Sequence, residues 1–324
     1  MGANAVRRSE RRQVVKILLL GCNGQVGWEL QRSLLPLGEV VALGRASHQN
    51  PGGLHGDLAR LDDLAKTVRL VQPDIIVNAA AYTAVDKAES EPELARAINA
   101  LAPGVLAREA QLRGAWLVHF STDYVFDGTG SEPWSEDDRT NPVSVYGATK
   151  LEGEVAAAAC GKHLIFRTSW VYGARGGNFA KTMLRLATQR ETLQVINDQR
   201  GAPTGADLLA DCTAHILRQV LSMPMQGNTD PLAGVYHLVA AGETSWFEYA
   251  NYVIAQAQQA HPAIKIVANN VIPVPTSAFP TVAVRPLNSR LNTCKFSHTF
   301  GLQLPDWKTG VTRMLKEMNH ETTS

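Results

Sequence analysis

Tyr146 and Lys150 stand four residues apart in Tyr146-Gly147-Ala148-Thr149-Lys150, at the start of a stretch with helical spacing of apolar residues. That spacing puts a phenol and an ammonium on one helix face. A phenol with a pKa near ~10 exchanges protons poorly at neutral pH, and a cation beside it favours the phenolate, drawing that value toward the working range. Proton transfer at a substrate oxygen is the chemistry this pair offers. Upstream, an apolar run closes in Ser121-Thr122-Asp123-Tyr124, and a hydroxyl at the carboxyl end of a parallel strand lies where ligands collect. Thr122 is thus placed to bond the same oxygen. A third feature, Gly21-Cys22-Asn23-Gly24-Gln25-Val26-Gly27, follows the first apolar run and opens a helical stretch through Trp28, Leu30 and Leu34. The first glycine permits a tight turn and the second lets backbone N–H groups approach a pyrophosphate. The third seats the helix on the strand with its positive end toward the anion. Each motif alone is common. Their order along one chain points to a dinucleotide and a carbonyl exchanging hydride and proton.

These residues need a frame. Short Val/Ile/Leu-rich runs at Val14 to Leu20, Val40 to Leu43, Asp74 to Ala81, Trp116 to Ser121 and His163 to Ser169 alternate with helical stretches at Gln25 to Leu35, Leu58 to Val71, Glu91 to Arg113 and Val145 to Ala159. Runs without inward-outward alternation are buried on both faces, so the pattern predicts an α/β fold with a doubly wound parallel sheet of the Rossmann type. Beyond residue 170 the rhythm loosens. Gly/Pro-containing segments at 173–178, 199–205 and 273–280 separate helices expected at Phe179 to Gln189, Asp207 to Ser222, Trp246 to Ala260 and Trp307 to Met318. The expected organisation is a disordered basic extension at 1–13, a dinucleotide-binding domain at 14–170 and a smaller C-terminal substrate-binding lobe at 171–324. Some segments of that lobe are expected to return to the first domain.

Composition narrows the classes. The 324 residues are 45% apolar and 19% charged, which suits a globular core and not a disordered chain. Thirty-one Lys plus Arg against thirty Asp plus Glu leave a net charge of +1, too small a field to gather nucleic acid or seek a membrane surface. No run reaches the ~18 uncharged residues of a membrane span. Four scattered cysteines without a C-x-x-C pair form neither a metal nor a disulfide framework, so a reducing cytoplasm is the expected location. The second apolar run ends in Leu43-Gly44-Arg45, where an acid would accept bonds from an adenosine ribose. An arginine there suits a 2′-phosphate instead, which favours NADPH over NADH. Asp57 and Leu58 are candidates for the adenine edge and ring. Ala80 and Ala81 have side chains small enough for a dinucleotide to lie against their backbone.

The chain resembles the dTDP-4-dehydrorhamnose reductase family of extended short-chain dehydrogenases/reductases from about Lys16 to Met318. The stretches GQVGWELQ, PDIIVNAAAYTAVDKAESEP, STDYVFDG, VYGATKLEGE, FRTSWVYG, NFAKTMLRLA, INDQRGAPTGADLLADCTAH, YHLVAAGETSW and RPLNSRLNT carry the resemblance. It implies NADPH-dependent reduction of the C4 ketone of a dTDP-4-keto-6-deoxyhexose, with Thr122, Tyr146 and Lys150 as the catalytic set. Lys150 would also hold the nicotinamide ribose. By the same transfer Trp170 packs on the hexose ring, Asp123 and Tyr124 touch the sugar, and Arg200, Arg285 and Arg290 are candidates for the diphosphate. The resemblance further implies a homodimer with Mg²⁺ between subunits, held by acids at Glu29, Asp207 and Glu317. Two other readings stay open on fold alone. One is an NAD-dependent nucleotide-sugar epimerase or dehydratase; the other is a non-catalytic regulatory subunit of the kind that binds a methionine adenosyltransferase.

Overall fold

A computed structural model describes residues 14–46, 53–222, 230–260 and 264–318. The expected extension at 1–13 lies outside the described residues. Strands β1 (Lys16–Leu20), β2 (Glu39–Leu43), β3 (Ile75–Asn78), β4 (Trp116–Thr122) and β5 (His163–Thr168) join a last strand, Gly234–His237, in one six-stranded sheet. Its order is last strand, β5, β4, β3, β1, β2, and every neighbouring pair is parallel. The doubly wound sheet expected from the apolar runs is the observed one.

The sheet is buried on both sides, as absent alternation requires. In β1, Ile17 and Leu19 enter a core with Leu30 and Leu34 of helix α1 (Gln25–Leu34) and with Leu209, Ile216 and Leu217 of the helix Ala206–Ser222. Leu18 and Leu20 face the opposite core, with Leu64 and Val68 of helix α2 (Leu61–Val71) and Leu106 of the helix Ala102–Arg113. All four β1 side chains have no exposed surface, and each contributes ~1.5–3 kcal/mol by leaving water. Helix Ala206–Ser222 and strand Gly234–His237 lie beyond residue 170 yet belong to the sheet layers. The remaining helices Phe179–Ala187, Trp246–Ala260 and Trp307–Glu317 pack around Tyr249, Val253 and Val311. A parallel pair, Thr192–Ile196 with Asn270–Val274, flanks them.

From β1 the chain steps to β2 on one side, and β3 follows on the other. The reversal opens a crevice above the carboxyl ends of β1 and β3, where doubly wound sheets take their ligands.

Candidate active site

At the crevice, the turn after β1 is held by Gly21 N and Cys22 N, which both donate to Leu43 O of β2 at 2.9 and 3.3 Å. Gly21 has φ +86°, and a Cβ there would lie 2.7 Å from Ala80 N after β3. Only glycine lets the two strand ends close to this distance. Gly24 precedes α1 without a side-chain cap, so the first-turn N–H groups beside Gln25 and Val26 are left to a ligand, with the positive helix end behind them. A Cβ on Gly27 would meet Gly21 O at 2.0 Å, which seats α1 directly on the turn. This cradle fits a dinucleotide pyrophosphate.

Around it, Arg45 is exposed just past β2 and pairs with no side chain among the described residues. Ala80 and Ala81 are half-buried at the end of β3. Leu58 departs from expectation: at 3% exposure it packs with Leu20 and Leu43 under the sheet, so it supports the crevice floor and presents no face to an adenine ring. Asp57 Oδ1 accepts the Ala59 amide at 3.0 Å and shapes the turn into α2.

Next along the edge, Ser144 caps the helix Val145–Ala158 by accepting Gly147 N at 3.1 Å. A Cβ on Gly147 would come within 2.2 Å of Tyr124 O, so the glycine lets the first helical turn press onto the residues after β4. Tyr146 thereby meets Tyr124 edge to face, ring centroids 5.4 Å apart. The Thr122 hydroxyl donates to Asp123 Oδ1 at 3.1 Å and accepts the Tyr124 amide at 3.2 Å. Thr122, Tyr146 and Lys150 lie along one strand edge, at and after the end of β4. Burial pushes the Tyr146 phenol well above its ordinary range, Asp123 and Tyr124 push the same way, and only Thr122 opposes them. Lys150 Nζ meets Phe120 O at 2.5 Å and His119 Nε2 at 3.3 Å. Burial lowers Lys150 itself to about 8. Tyr146 therefore keeps its proton, the state a donor requires.

Asp123 is 2% exposed; burial raises its carboxyl to about 6, and its Oδ2 has no partner. The hydroxyls of Ser121, Thr168 and Ser169 are likewise buried without partners at the ends of β4 and β5. Orphaned polar atoms are rare in a finished core, and this group sits at the edge that receives ligands. Tyr124 Oη accepts from Arg285 Nη1 at 3.3 Å.

The lobe residues are more committed than the sequence suggested. Trp170 lies in a left-handed conformation (φ 48°), and its indole stacks on Trp246 with centroids 3.6 Å apart and planes 14° from parallel. Trp246 Nε1 donates to Gln199 Oε1 at 2.9 Å. One face of Trp170 is thus covered by protein. The three arginines proposed for phosphate all have carboxylate partners: Arg285 with Asp86 (2.5 Å), Arg290 with Glu243 (3.3 Å) and Arg200 with Glu248 (3.6 Å). Burial raises the Glu29 carboxyl, and Asp207 and Glu317 add to the rise. Arg313 bridges the latter two: its Nη1 lies 3.3 Å from Asp207 Oδ2, and its Nε donates to Glu317 Oε1 at 2.8 Å. Among the described residues no group of three His, Cys, Asp or Glu side chains is arranged to hold a metal ion. The expected Mg²⁺ does not fit this donor set.

Several positioning residues escaped the sequence reading. Asn99 Oδ1 accepts Tyr82 N at 2.8 Å and its Nδ2 reaches Thr149 at 3.2 Å, pinning the loop after β3 to the Tyr146 helix. It sits in a π-helical turn, Ala97–Leu101, a distortion frequent at functional sites. His119 and Asn78 are polar residues inside strands otherwise buried on both faces. That exception is a readable signal. Trp246 carries none, since an aromatic at a helix start is ordinary core.

A doubly wound sheet with a glycine turn at its switch crevice and a tyrosine–threonine pair beside it is the architecture of a dinucleotide-dependent oxidoreductase. Residues 15–320 match the family described as the RmlD substrate binding domain. The dTDP-4-dehydrorhamnose reductase of Salmonella typhimurium is 57% identical over 310 residues, covering 95% of this chain and all of the relative. That of Escherichia coli K12 is 56% identical, covering 94% and 98%. The crystal structure of the Bacillus anthracis dTDP-4-dehydrorhamnose reductase in complex with NADP superposes with a TM-score of 0.81 at 34% identity, covering 94% and 99%. The chain belongs to the dTDP-4-dehydrorhamnose reductase family.

Proposed function

We propose that the protein reduces the C4 ketone of dTDP-4-dehydro-β-L-rhamnose with NADPH, giving dTDP-β-L-rhamnose. The observation that carries this reading is the Tyr146 phenol, raised well above its ordinary range and so kept protonated, on the helix that packs its ring against Tyr124 beside Thr122 at the carboxyl edge of the sheet. NADPH supplies the hydride when bound. The turn of Gly21, Gly24, Gln25, Val26 and Gly27 would hold its pyrophosphate, Arg45 its 2′-phosphate, and Lys150 its nicotinamide ribose, with Ala80 and Ala81 beneath. As the C4 carbonyl gains a hydride, its oxygen becomes an alkoxide. Tyr146 passes its phenol proton to that oxygen and Thr122 donates a hydrogen bond to it. A donor aimed at the developing charge lowers the barrier because it is in place before charge forms. The product is an alcohol, and the Tyr146 phenolate regains a proton from solvent.

The unpartnered Asp123 carboxyl oxygen and the neighbouring Ser121, Thr168 and Ser169 hydroxyls suit the hydroxyls of a hexose, and Trp170 would border the ring. Arg285, held between Asp86 and Tyr124, positions Tyr124 instead of seeking a phosphate. No helix of the described residues is long and apolar enough to cross a membrane, in keeping with a small-molecule substrate; a cytoplasmic homodimer remains part of the proposal. The test is incubation with NADPH and enzymatically prepared dTDP-4-dehydro-β-L-rhamnose. One NADPH lost per dTDP-rhamnose formed is the expected result. Sugar conversion without NADPH loss would establish the epimerase or dehydratase reading, and no conversion at all would leave a binding subunit.

A further inference from the structure

The turn read as the pyrophosphate cradle carries no cation of its own. Gly21-Cys22-Asn23-Gly24-Gln25-Val26-Gly27 has no basic side chain, so a dianion there meets only the partial charge of the helix end and its N–H groups. The three arginines expected at phosphate groups are held by carboxylates. A fourth, Arg175, is exposed and pairs with no carboxylate among the described residues.

Arg175 stands at the tip of a loop, residues 173–178, that runs from the strand Val171–Tyr172 to the helix Phe179–Ala187. Asn178 fastens the base of this loop. Its Nδ2 donates to Gly173 O at 2.7 Å, closing the loop on itself, and to Gln25 Oε1 at 3.3 Å, tying it to the first residue of α1. Its Oδ1 caps the following helix by accepting Lys181 N at 3.1 Å. Gly176, with φ +78°, lies so close that a Cβ there would come within 3.4 Å of Gln25 Cγ. The tip is therefore laid against the start of α1, where the Arg175 guanidinium covers the Trp28 indole with Cζ 3.7 Å from the ring centroid. That is the separation of two stacked planes.

Trp28 is three residues past Gln25, on the same face of α1. Helical side chains lean toward the N-terminus, so its indole covers the turn that begins at Gln25. The guanidinium is thus held at the positive end of α1. A cation in that place opposes the helix dipole, the first turn of α1 has no acidic side chain, and Glu29 is engaged with Arg32 at 3.6 Å. An anion shared by the helix end and the guanidinium makes the same placement favourable. Stacking uses the faces of a guanidinium and leaves its N–H edges free, so Arg175 can donate to that anion without leaving Trp28.

We propose that Arg175 is a cofactor-binding residue that donates to the pyrophosphate of the dinucleotide, with Trp28 as the positioning residue that holds its guanidinium at the helix end. The proposal rests on the reading of the glycine turn as a dinucleotide cradle and adds a charged contact from a loop far along the chain. Arg175 and Arg45 differ in what they read. Only NADPH carries a 2′-phosphate, whereas NADPH and NADH share the pyrophosphate, so Arg175 adds affinity for both without discriminating between them.

The experiment titrates the full-length protein with NADPH and with NADH, read by cofactor fluorescence with no sugar nucleotide present, so its outcome is independent of sugar turnover. Wild-type protein that binds neither dinucleotide overturns the cradle, and the proposal with it. Arg175→Gln should raise Kd for both by the same factor, about tenfold, as loss of one charge-assisted hydrogen bond does. Arg175→Lys keeps the charge without the planar fork and should fall between Gln and wild type. Trp28→Phe keeps an aromatic face and should bind as wild type does, whereas Trp28→Leu should weaken both cofactors and add nothing in the Arg175→Gln background. Kd values of Arg175→Gln within about twofold of wild type, or ~0.4 kcal/mol, reduce the pair to a surface stack and overturn the proposal. A rise confined to NADPH moves Arg175 to the 2′-phosphate and overturns the pyrophosphate contact. Full additivity of Trp28→Leu with Arg175→Gln refutes the positioning role of Trp28.

Discussion

Replacing Tyr146 with Phe tests the proton donor with little disturbance of its surroundings. The ring keeps its edge contact with Tyr124 at 5.4 Å. The Thr122 hydroxyl keeps Asp123 Oδ1 and the Tyr124 amide, so it is not orphaned. Stability should change by no more than about 1 kcal/mol, the net worth of one hydrogen bond. The glycine turn and Arg45 lie elsewhere along the crevice, so NADPH affinity should hold within about threefold, or ~0.6 kcal/mol. Catalysis is another matter. General acid transfer is worth about 10²–10⁴ in rate, or ~3–5 kcal/mol of barrier, and Thr122 remains to polarise the carbonyl but has no proton to release as readily. Steady-state kcat/KM, measured beside a fluorescence titration of NADPH, should fall by that factor with binding preserved. Turnover within tenfold of wild type would remove Tyr146 from the donor role, and lost NADPH binding would show that the tyrosine is needed to hold the cofactor.

In Arg45→Asp the ratio of kcat/KM for NADPH over NADH should fall by at least about tenfold, since a charge-assisted bond to the 2′-phosphate is worth ~1.5–3 kcal/mol; an unchanged ratio assigns that phosphate elsewhere. Trp246→Ala should raise KM for the sugar nucleotide more than it lowers kcat, because the plate that holds Trp170 at φ 48° is gone. It should also erase the exciton couplet of the stacked indoles in circular dichroism, and a retained couplet would contradict the stack. The Asp123 carboxyl is raised to about 6 in the folded protein from near ~3.9 unfolded. Its burial is therefore tolerated below about pH 4 and becomes destabilising as pH rises through 6, approaching ~3 kcal/mol above it. Asp123→Asn should gain stability over wild type in urea at pH 8 and gain none at pH 4; an equal difference at both would show that the carboxyl does not titrate on folding. Because Arg313 already sits between Asp207 and Glu317, dialysis against a chelator should leave activity and oligomeric state unchanged, and loss restored by Mg²⁺ would contradict the donor set described above.

What the sequence made legible follows from the range of the forces involved. Runs such as Ile17–Leu20 show burial on both faces directly, because a strand that alternates has one wet side and these have none. Helix boundaries were near, as Gln25–Leu34 and Trp246–Ala260 show, since caps and apolar spacing are local. Assignment of helices to lobes was less accessible. The apolar stripe of Ala206–Ser222 names no partner, and only the folded chain reveals that Leu209, Ile216 and Leu217 lie on the sheet. Long side chains were harder still. Arg200, Arg285 and Arg290 looked available by charge, and each found a carboxylate contributed from a distant part of the chain.

Lys150 shows where that boundary runs. A four-residue interval guarantees that phenol and amine leave the helix on the same side, but it says nothing about how each side chain turns about its rotatable bonds or about the solvent each head group loses. Sequence logic took proximity to mean a cation acidifying a phenol. In the folded protein Lys150 is buried and Tyr146 half-buried, and desolvation penalises charge on either one: the phenol holds its proton more tightly and the ammonium releases one more readily. The two shifts disfavour a phenolate beside an ammonium. For an enzyme that must deliver a proton to an alkoxide, a loaded phenol is the productive resting state, so the environment supplies by burial what the motif was expected to supply by charge.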